Sequence, residues 1–285
     1  MAHAIFGPAG SPENFYAQGN KRSSQMPEYL REYGLDTFEY SGGHGLRMSE
    51  KTAREIGSQA QKAGIPISVH APYFINLANE DSEKILNSHR YILGAMQAAF
   101  WMGARRVIFH PGSASGSRSR QEITAYACSE LKKIIQQADA AGFGEIILCP
   151  ETMGKINQLG DLEEVLSLCS VNERLIPCID FGHLNARTQG SLRTQADFKA
   201  VLDRIENDLG KERLDRLHMH FSHIEYTEMG EKRHLTFEDK VFGPEHQGLI
   251  AEIVRRKMYP TVICESAGTQ DQDALEMKKA YWSLQ

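Results

Sequence analysis

Apolar and polar positions alternate in blocks along this chain. Eight short apolar runs stand out: AHAIFG (2–7), TFEYSG (37–42), ISVHAP (67–72), RRVIFHPG (105–112), EIILCPE (145–151), LIPCIDFG (175–182), DRLHMHFS (215–222) and PTVICES (260–266). Each has the length of a buried strand. The stretches between them are longer and carry apolar residues at helical spacing, predicting helices over 49–63, 82–103, 120–141, 160–171, 195–209 and 246–257. In EKILNSHRYILGAMQAAFWMG the apolar stripe runs up to Gly103, which predicts a stop there. Strand and helix in regular alternation with short connections predict a parallel α/β sheet. Eight such repeats predict closure into a (β/α)8 barrel. No linker, low-complexity tract or shift in composition interrupts the pattern, so residues 1–285 are expected to form a single domain.

The polar residues that end these runs change the picture. His70, His110, Glu151, Asp180, His183, His220 and Glu265 each stand at or just past the C-terminal end of an apolar run. In a closed parallel barrel all those ends open on one face, so residues distant in sequence converge there. Imidazoles and carboxylates brought together are the ligands of a zinc-like divalent cation. Singly, the members are weak signals. Asp180 could be a helix cap, and a lone buried histidine is usually a hydrogen-bonded core residue. Glu151 and Glu265 carry more weight. An unpaired carboxylate at the end of an apolar strand is costly, and neither strand contains a Lys or Arg. A metal is the expected partner.

The other histidines divide by position. His218 and His220 share one strand face; His220, nearer the strand end, is the better ligand, and His218 reads as barrel filling. His223 is undecided. His44 reads as a surface-loop residue, and His3, His89 and His246 as structural or solvated. The stretch 223–245 is the longest irregular segment, and a loop of that length at the C-terminal face is more often functional than not. His234 within it either reaches back to the site or is solvated.

The chain has 285 residues, 41% apolar and 24% charged, with a formal net charge of −5. These values describe a soluble globular protein and argue against a general nucleic-acid coat protein. No run of about 18 apolar residues appears, so no membrane span is expected. The start, MAHAIFGPAGSPENF, lacks the pattern of a secretory signal. Five cysteines without a C-x-x-C pair fit a reducing cytoplasm, with no thiolate ligand among them.

With these motifs in hand, the chain resembles the endonuclease IV family of abasic-site nucleases, within the xylose-isomerase-like barrels. The resemblance rests on H-x-x-Y-x-I-N-L at 70–77, H-P-G-S at 110–113, the Glu151 strand end and C-I-D-x-x-H at 178–183. It implies cleavage of double-stranded DNA 5′ to an abasic site with two or three zinc ions, manganese being an alternative. His70 and His110 would hold the first metal, with Glu151 bridging to a second held by Asp180, His220 and Glu265; Glu151 would also orient the nucleophile and so act in catalysis. His183 and His234 would hold the third. Tyr73 and Phe74 match the loop that probes the minor groove at the lesion. A cytoplasmic monomer is expected. The chain departs from the family at Lys232, where an aspartate normally ligates the third metal two residues before the last histidine. Glu231 or Glu228 would substitute on a rearranged loop. The strand-seven motif H-F-S-H and the start FGPAGSPENF also differ.

The alternative is a sugar isomerase or epimerase on the same barrel, using Glu151, Asp180, His220 and Glu265 around one Mn²⁺-like ion. It leaves His70, His110 and His183 without a role. A non-catalytic metal scaffold is a third class, with no stabilising need for so many inward ligands. Lys21, Arg22, Arg47, Arg118, Arg120, Lys155 and Arg187 stand in or near the predicted C-terminal loops. If DNA is the ligand, such a set gives salt-dependent affinity.

Overall fold

Each of the eight apolar runs forms a strand: β1 Ile5–Pro8, β2 Phe38–Ser41, β3 Ile67–His70, β4 Arg106–Phe109, β5 Ile147–Pro150, β6 Cys178–Asp180, β7 His218–Phe221 and β8 Thr261–Cys264. The structure is a computed structural model that describes residues 2–42, 45–46, 48–114 and 116–285. His44 and Arg47 lie outside the described residues.

All pairings between these strands are parallel. One sheet runs β1-β8-β7-β6 and the other β2-β3-β4-β5. Parallel bridges between Ala9 and Glu39 and between Glu151 and Cys178 join the two sheets at both seams. The circuit is therefore closed, and every strand has its C-terminal end on the same face.

The six expected helices form at Glu50–Ala63, Ser82–Met102, Arg120–Ala140, Leu162–Cys169, Gln195–Leu209 and Gln247–Arg256. Their ends follow local chemistry. Asp81 caps the second through the Glu83 amide, and Ser119–Glu122 and Asp161–Glu164 form capping boxes on the third and fourth. Gly103 terminates the second in the left-handed conformation, φ +71°. Ile92, Ala99, Ile134, Leu202 and Ile253 on these helices are buried in the core. Further helices form at Glu13–Ala17, Met26–Tyr33, Phe181–Arg187, Lys211–Asp215 and Gln270–Ser283. The last closes the outer ring against β1, burying only Ala274, Met277 and Tyr281 among its apolar residues; so sparse a stripe does not stand out in the sequence.

The stretch 223–245 is not irregular throughout. It contains an antiparallel hairpin, Ile224–Thr227 paired with Gly230–His234. The turn residue Gly230 has φ +87°, and the amide of Glu231 donates to the carbonyl of Gly154 at 3.1 Å, tying the hairpin to the loop after β5.

The outer ring is braced behind β7 and β8 by Glu252. Its carboxylate accepts from Arg255 at 2.6 Å, from Arg256 at 3.0 Å and from Gln195 on the neighbouring helix at 2.8 Å. The Arg255 guanidinium, opposed by burial and aided by Gln195 and Arg256, holds this carboxyl down at about 2. An unfolded glutamate titrates at about 4.3. The stabilisation is therefore complete above that value and is lost as pH falls through about 2. Glu252→Gln is expected to lower stability near neutral pH, with the gap to wild type closing between about pH 4 and 2. Urea denaturation at a series of pH values checks this.

Candidate metal centre

Glu151 follows β5 and is fully buried. Four imidazoles surround its carboxylate. Oε2 lies 3.0 Å from His70 Nε2 and 3.3 Å from His110 Nε2. Oε1 lies 3.3 Å from His183 Nδ1 and 3.4 Å from His220 Nδ1. His70 ends β3, His110 follows β4, and His220 is the third residue of β7, so the parallel register brings together what the sequence separates.

Asp180 ends β6, and its two oxygens do different work. Oδ1 accepts from the amide of His183 at 2.7 Å and caps the helix Phe181–Arg187. Oδ2 turns into the cluster, 3.3 Å from His183 Nδ1, and has no hydrogen-bond partner among the described residues. Asp180 therefore caps a helix with one oxygen and turns the other toward the cluster. Glu265, after β8, approaches His220 Nδ1 at 3.6 Å.

His234 also comes to the cluster. Its ring stands 5.4 Å from that of His183. Glu231 lies between them, with Oε2 3.4 Å from His183 Nε2 and Oε1 3.9 Å from His234 Nε2. In a regular strand, residues three apart point to opposite faces. Here a register shift makes Tyr226 face Glu231 while Glu225 faces Arg233, so Lys232 is the extra residue of a bulge. The bulge resets the alternation and puts Glu231 and His234 on one side. Lys232 turns away and pairs with Glu225 at 2.5 Å. Gly154 makes room for this arrangement: a Cβ there would stand 2.6 Å from Glu231 Cβ and 3.0 Å from His183 Cδ2.

The imidazoles are oriented from outside the cluster. His70 Nδ1 donates to the carbonyl of Ala71 at 2.8 Å, and His183 Nδ1 to that of Thr152 at 2.9 Å. His234 Nδ1 bonds the Ser222 hydroxyl at 2.8 Å. Each leaves Nε2 facing the carboxylates. A carbonyl partner fixes the tautomer of a metal-ligating histidine, as for His70 and His183, whereas the Ser222 hydroxyl orients the His234 ring and can donate or accept.

The charges are strongly coupled. Burial pushes the Glu151 carboxyl up, but His110, His220 and His183 outweigh it and hold the group well below the usual range. Burial likewise lowers His70, yet Glu151, Glu39 and Glu265 lift it to about 9. His183 and His220 are raised well above the ordinary value, again against burial, by Asp180 and Glu231 for the first and by Cys178 and Glu265 for the second. Asp180 is pushed up to about 6 by burial, partly offset by His183. The carboxylates thus draw positive charge into a buried space. His110 is the exception: burial holds it below its ordinary value despite Glu151.

Three groups of ligand atoms, each within 4.8 Å of one another, could hold metal ions: His70, His110 and Glu151; Glu151, Asp180, His220 and Glu265; and His183, Glu231 and His234. The donor chemistry fits a zinc-like cation. Glu151 Oε1, Asp180 Oδ2 and His220 Nδ1 are buried without hydrogen-bond partners among the described residues. Orphaned atoms that converge in this way are what a cation would satisfy. A fourth group, Cys178, His218 and His220, lies deeper. Burial holds the Cys178 thiol well above its usual range, against the pull of His220, and burial lowers His218 to about 4.

The cluster opens into a cavity of about 560 Å³ whose wall includes Tyr73, Lys155, Gln158 and Gln270. Tyr73 is half exposed and stacks on His110 at 5.1 Å. Phe74, also exposed, stands against Tyr91. Of the basic residues, Arg120 pairs with Glu164, Arg187 donates to loop carbonyls from Met153 to Gln158, and Arg118 donates to Ala78 and covers Tyr126. These three brace loops. His223 is buried and stacks on Phe237, as does His246; His89 bonds Glu130.

Sequence reasoning missed Glu39. It lies in the middle of β2, fully buried, with His218 Nε2 donating to its Oε2 at 2.8 Å. The signal was the acid in TFEYSG, as costly inside an apolar run as Glu151 is at the end of one. Glu231 was a candidate only through a rearranged loop.

The relatives agree with this geometry at the level of the fold. An uncharacterized protein of Methanocaldococcus jannaschii is 32% identical over 280 residues, covering 98% of this chain and 97% of its own. A protein of Shouchella clausii named probable endonuclease 4 is 27% identical over 223 residues, 72% of this chain and 71% of its own. Among solved structures, a D-tagatose 3-epimerase-like protein superposes with a TM-score of 0.70 at 20% identity, covering 98% of this chain and 96% of its own. Endonuclease IV from Thermus thermophilus superposes at 0.69 with 18% identity, covering 98% and 99%. A family model matches residues 27–280, and by that match the chain belongs to the xylose isomerase-like TIM barrels.

Proposed function

We propose that this chain is a metal-dependent phosphodiester hydrolase of the endonuclease IV kind, cutting duplex DNA 5′ to abasic sites. The observation that carries the reading is the third ligand group. A mononuclear epimerase needs only Glu151, Asp180, His220 and Glu265, and leaves His183, Glu231 and His234 without a task.

In this reading His70, His110 and Glu151 would hold one cation, and Glu151, Asp180, His220 and Glu265 a second. His183, Glu231 and His234 hold the third, with Glu231 replacing the aspartate that Lys232 displaces. Zinc suits the donor set, and manganese is the alternative. Bound cations would supply Lewis-acid charge to a phosphate and lower the pKa of a water. Glu151, fixed among four imidazoles, orients the attacking water as well as bridging. Tyr73 and Phe74 stand exposed at the rim, where aromatic wedges suit a distorted duplex. An abasic sugar turned out of the stack would enter the cavity. The working unit in this reading is one domain acting as a monomer.

Elemental analysis of the purified protein is expected to give about three divalent cations per chain, one for each group, together with incision of an abasic-site duplex. About one cation, no incision and turnover of a ketose would move the assignment to an epimerase. Glu151→Gln is expected to leave under about 1% of the cleavage rate, since a lost charge-stabilising group costs roughly 10²–10³ in kcat; retained cleavage would sink its role. Gly154→Ala forces Glu231 from His183 and is expected to reduce the bound cations from about three to about two. An unchanged count in that variant would show that Glu231 is not a ligand.

A further inference from the structure

A column of polar groups runs through the barrel interior beneath the candidate metal centre. It begins with Arg106 on β4, whose guanidinium donates to the carbonyls of Arg216 at 2.7 Å and Leu217 at 3.2 Å. The same guanidinium reaches His218 Nδ1 at 3.4 Å. Arginine can only donate. His218 Nδ1 is therefore the acceptor, and the ring proton sits on Nε2. That proton is given to Glu39 Oε2 at 2.8 Å, which also accepts from the Ser68 hydroxyl at 2.7 Å. The other oxygen, Oε1, lies 2.9 Å from His220 Nε2, without the alignment of a full hydrogen bond.

A carboxylate is an acceptor on both oxygens. With Oε2 engaged by two donors, Oε1 demands a proton on His220 Nε2. The nitrogen left for the metal centre is then Nδ1, which faces Glu151 at 3.4 Å and Glu265 at 3.6 Å. This is the reverse of His70, His183 and His234, whose Nδ1 atoms are engaged outside the cluster. Both nitrogens of His218 are committed, so the deeper group with Cys178 offers no free imidazole from that residue.

We propose that Glu39 is a positioning residue that, held by Ser68 and by the Arg106–His218 pair, locks His220 to present Nδ1 to a divalent cation. The inference rests on the metal reading above and concerns which atom binds and what fixes it. A carboxylate behind a ligating imidazole fixes ring orientation and strengthens the ligand, and its loss costs about 10–100-fold in metal affinity.

The test uses the full chain loaded with Zn²⁺. Long-range ¹H–¹⁵N spectra of the histidines are expected to show His220 with its proton on Nε2 and the cation on Nδ1, and His70, His183 and His234 with the opposite arrangement. In Glu39→Gln, release of one cation to a chelator is expected to accelerate about 10–100-fold, with the others unchanged. Zinc on Nε2 of His220 in the wild-type protein would overturn the inference whether or not the variant folds. So would a folded Glu39→Gln protein that releases zinc at the wild-type rate. A wild-type chain that takes up no divalent cation would overturn the metal reading itself, and this inference with it.

Discussion

A carboxylate sealed from water needs positive charge within a few ångströms, and Glu151 has four imidazoles at 3.0 to 3.4 Å. The arrangement of the C-terminal face follows from that demand. Each imidazole comes from a different strand end, two from each sheet, so the demand is met only when the two sheets join beside Glu151. That join is the bridge from Glu151 to Cys178 itself. The residue that concentrates the negative charge is thus also a point at which the barrel is joined.

Around this centre, orientation is fixed before any ligand arrives. His70, His183 and His234 each spend one nitrogen on a carbonyl or hydroxyl outside the cluster. Asp180 spends one oxygen on a helix start. What remains on each residue is a single atom directed inward. A cation entering such a site meets ligands whose rotamers are already restricted, which reduces the ordering it must impose.

The barrel and most of the cluster were legible because both depend on a rule that sequence carries directly: parallel strands share an end, and polar residues at those ends meet. His70, His110, Glu151, Asp180, His183, His220 and Glu265 follow from it. Glu39 did not, because a search confined to strand ends passes over an acid in the middle of β2. The partnership of Glu231 with His183 was hidden for a different reason. It depends on hairpin register, which turn geometry and tertiary contact with Gly154 decide together. The helix Gln270–Ser283 escaped because its apolar stripe is sparse. His44, read as a surface residue, lies outside the described residues.

The bulge at Lys232 bears on how such proteins are compared. An aspartate two places before a histidine and a glutamate three places before one look like different signatures. In three dimensions a single added residue converts one into the other, because it reverses the parity of everything on one side of it. The displaced lysine becomes an ordinary surface cation. A one-dimensional pattern that expects the acid two places before the histidine would score this chain as lacking it. Counting strand faces instead of sequence positions leaves the acid and the histidine on the same side.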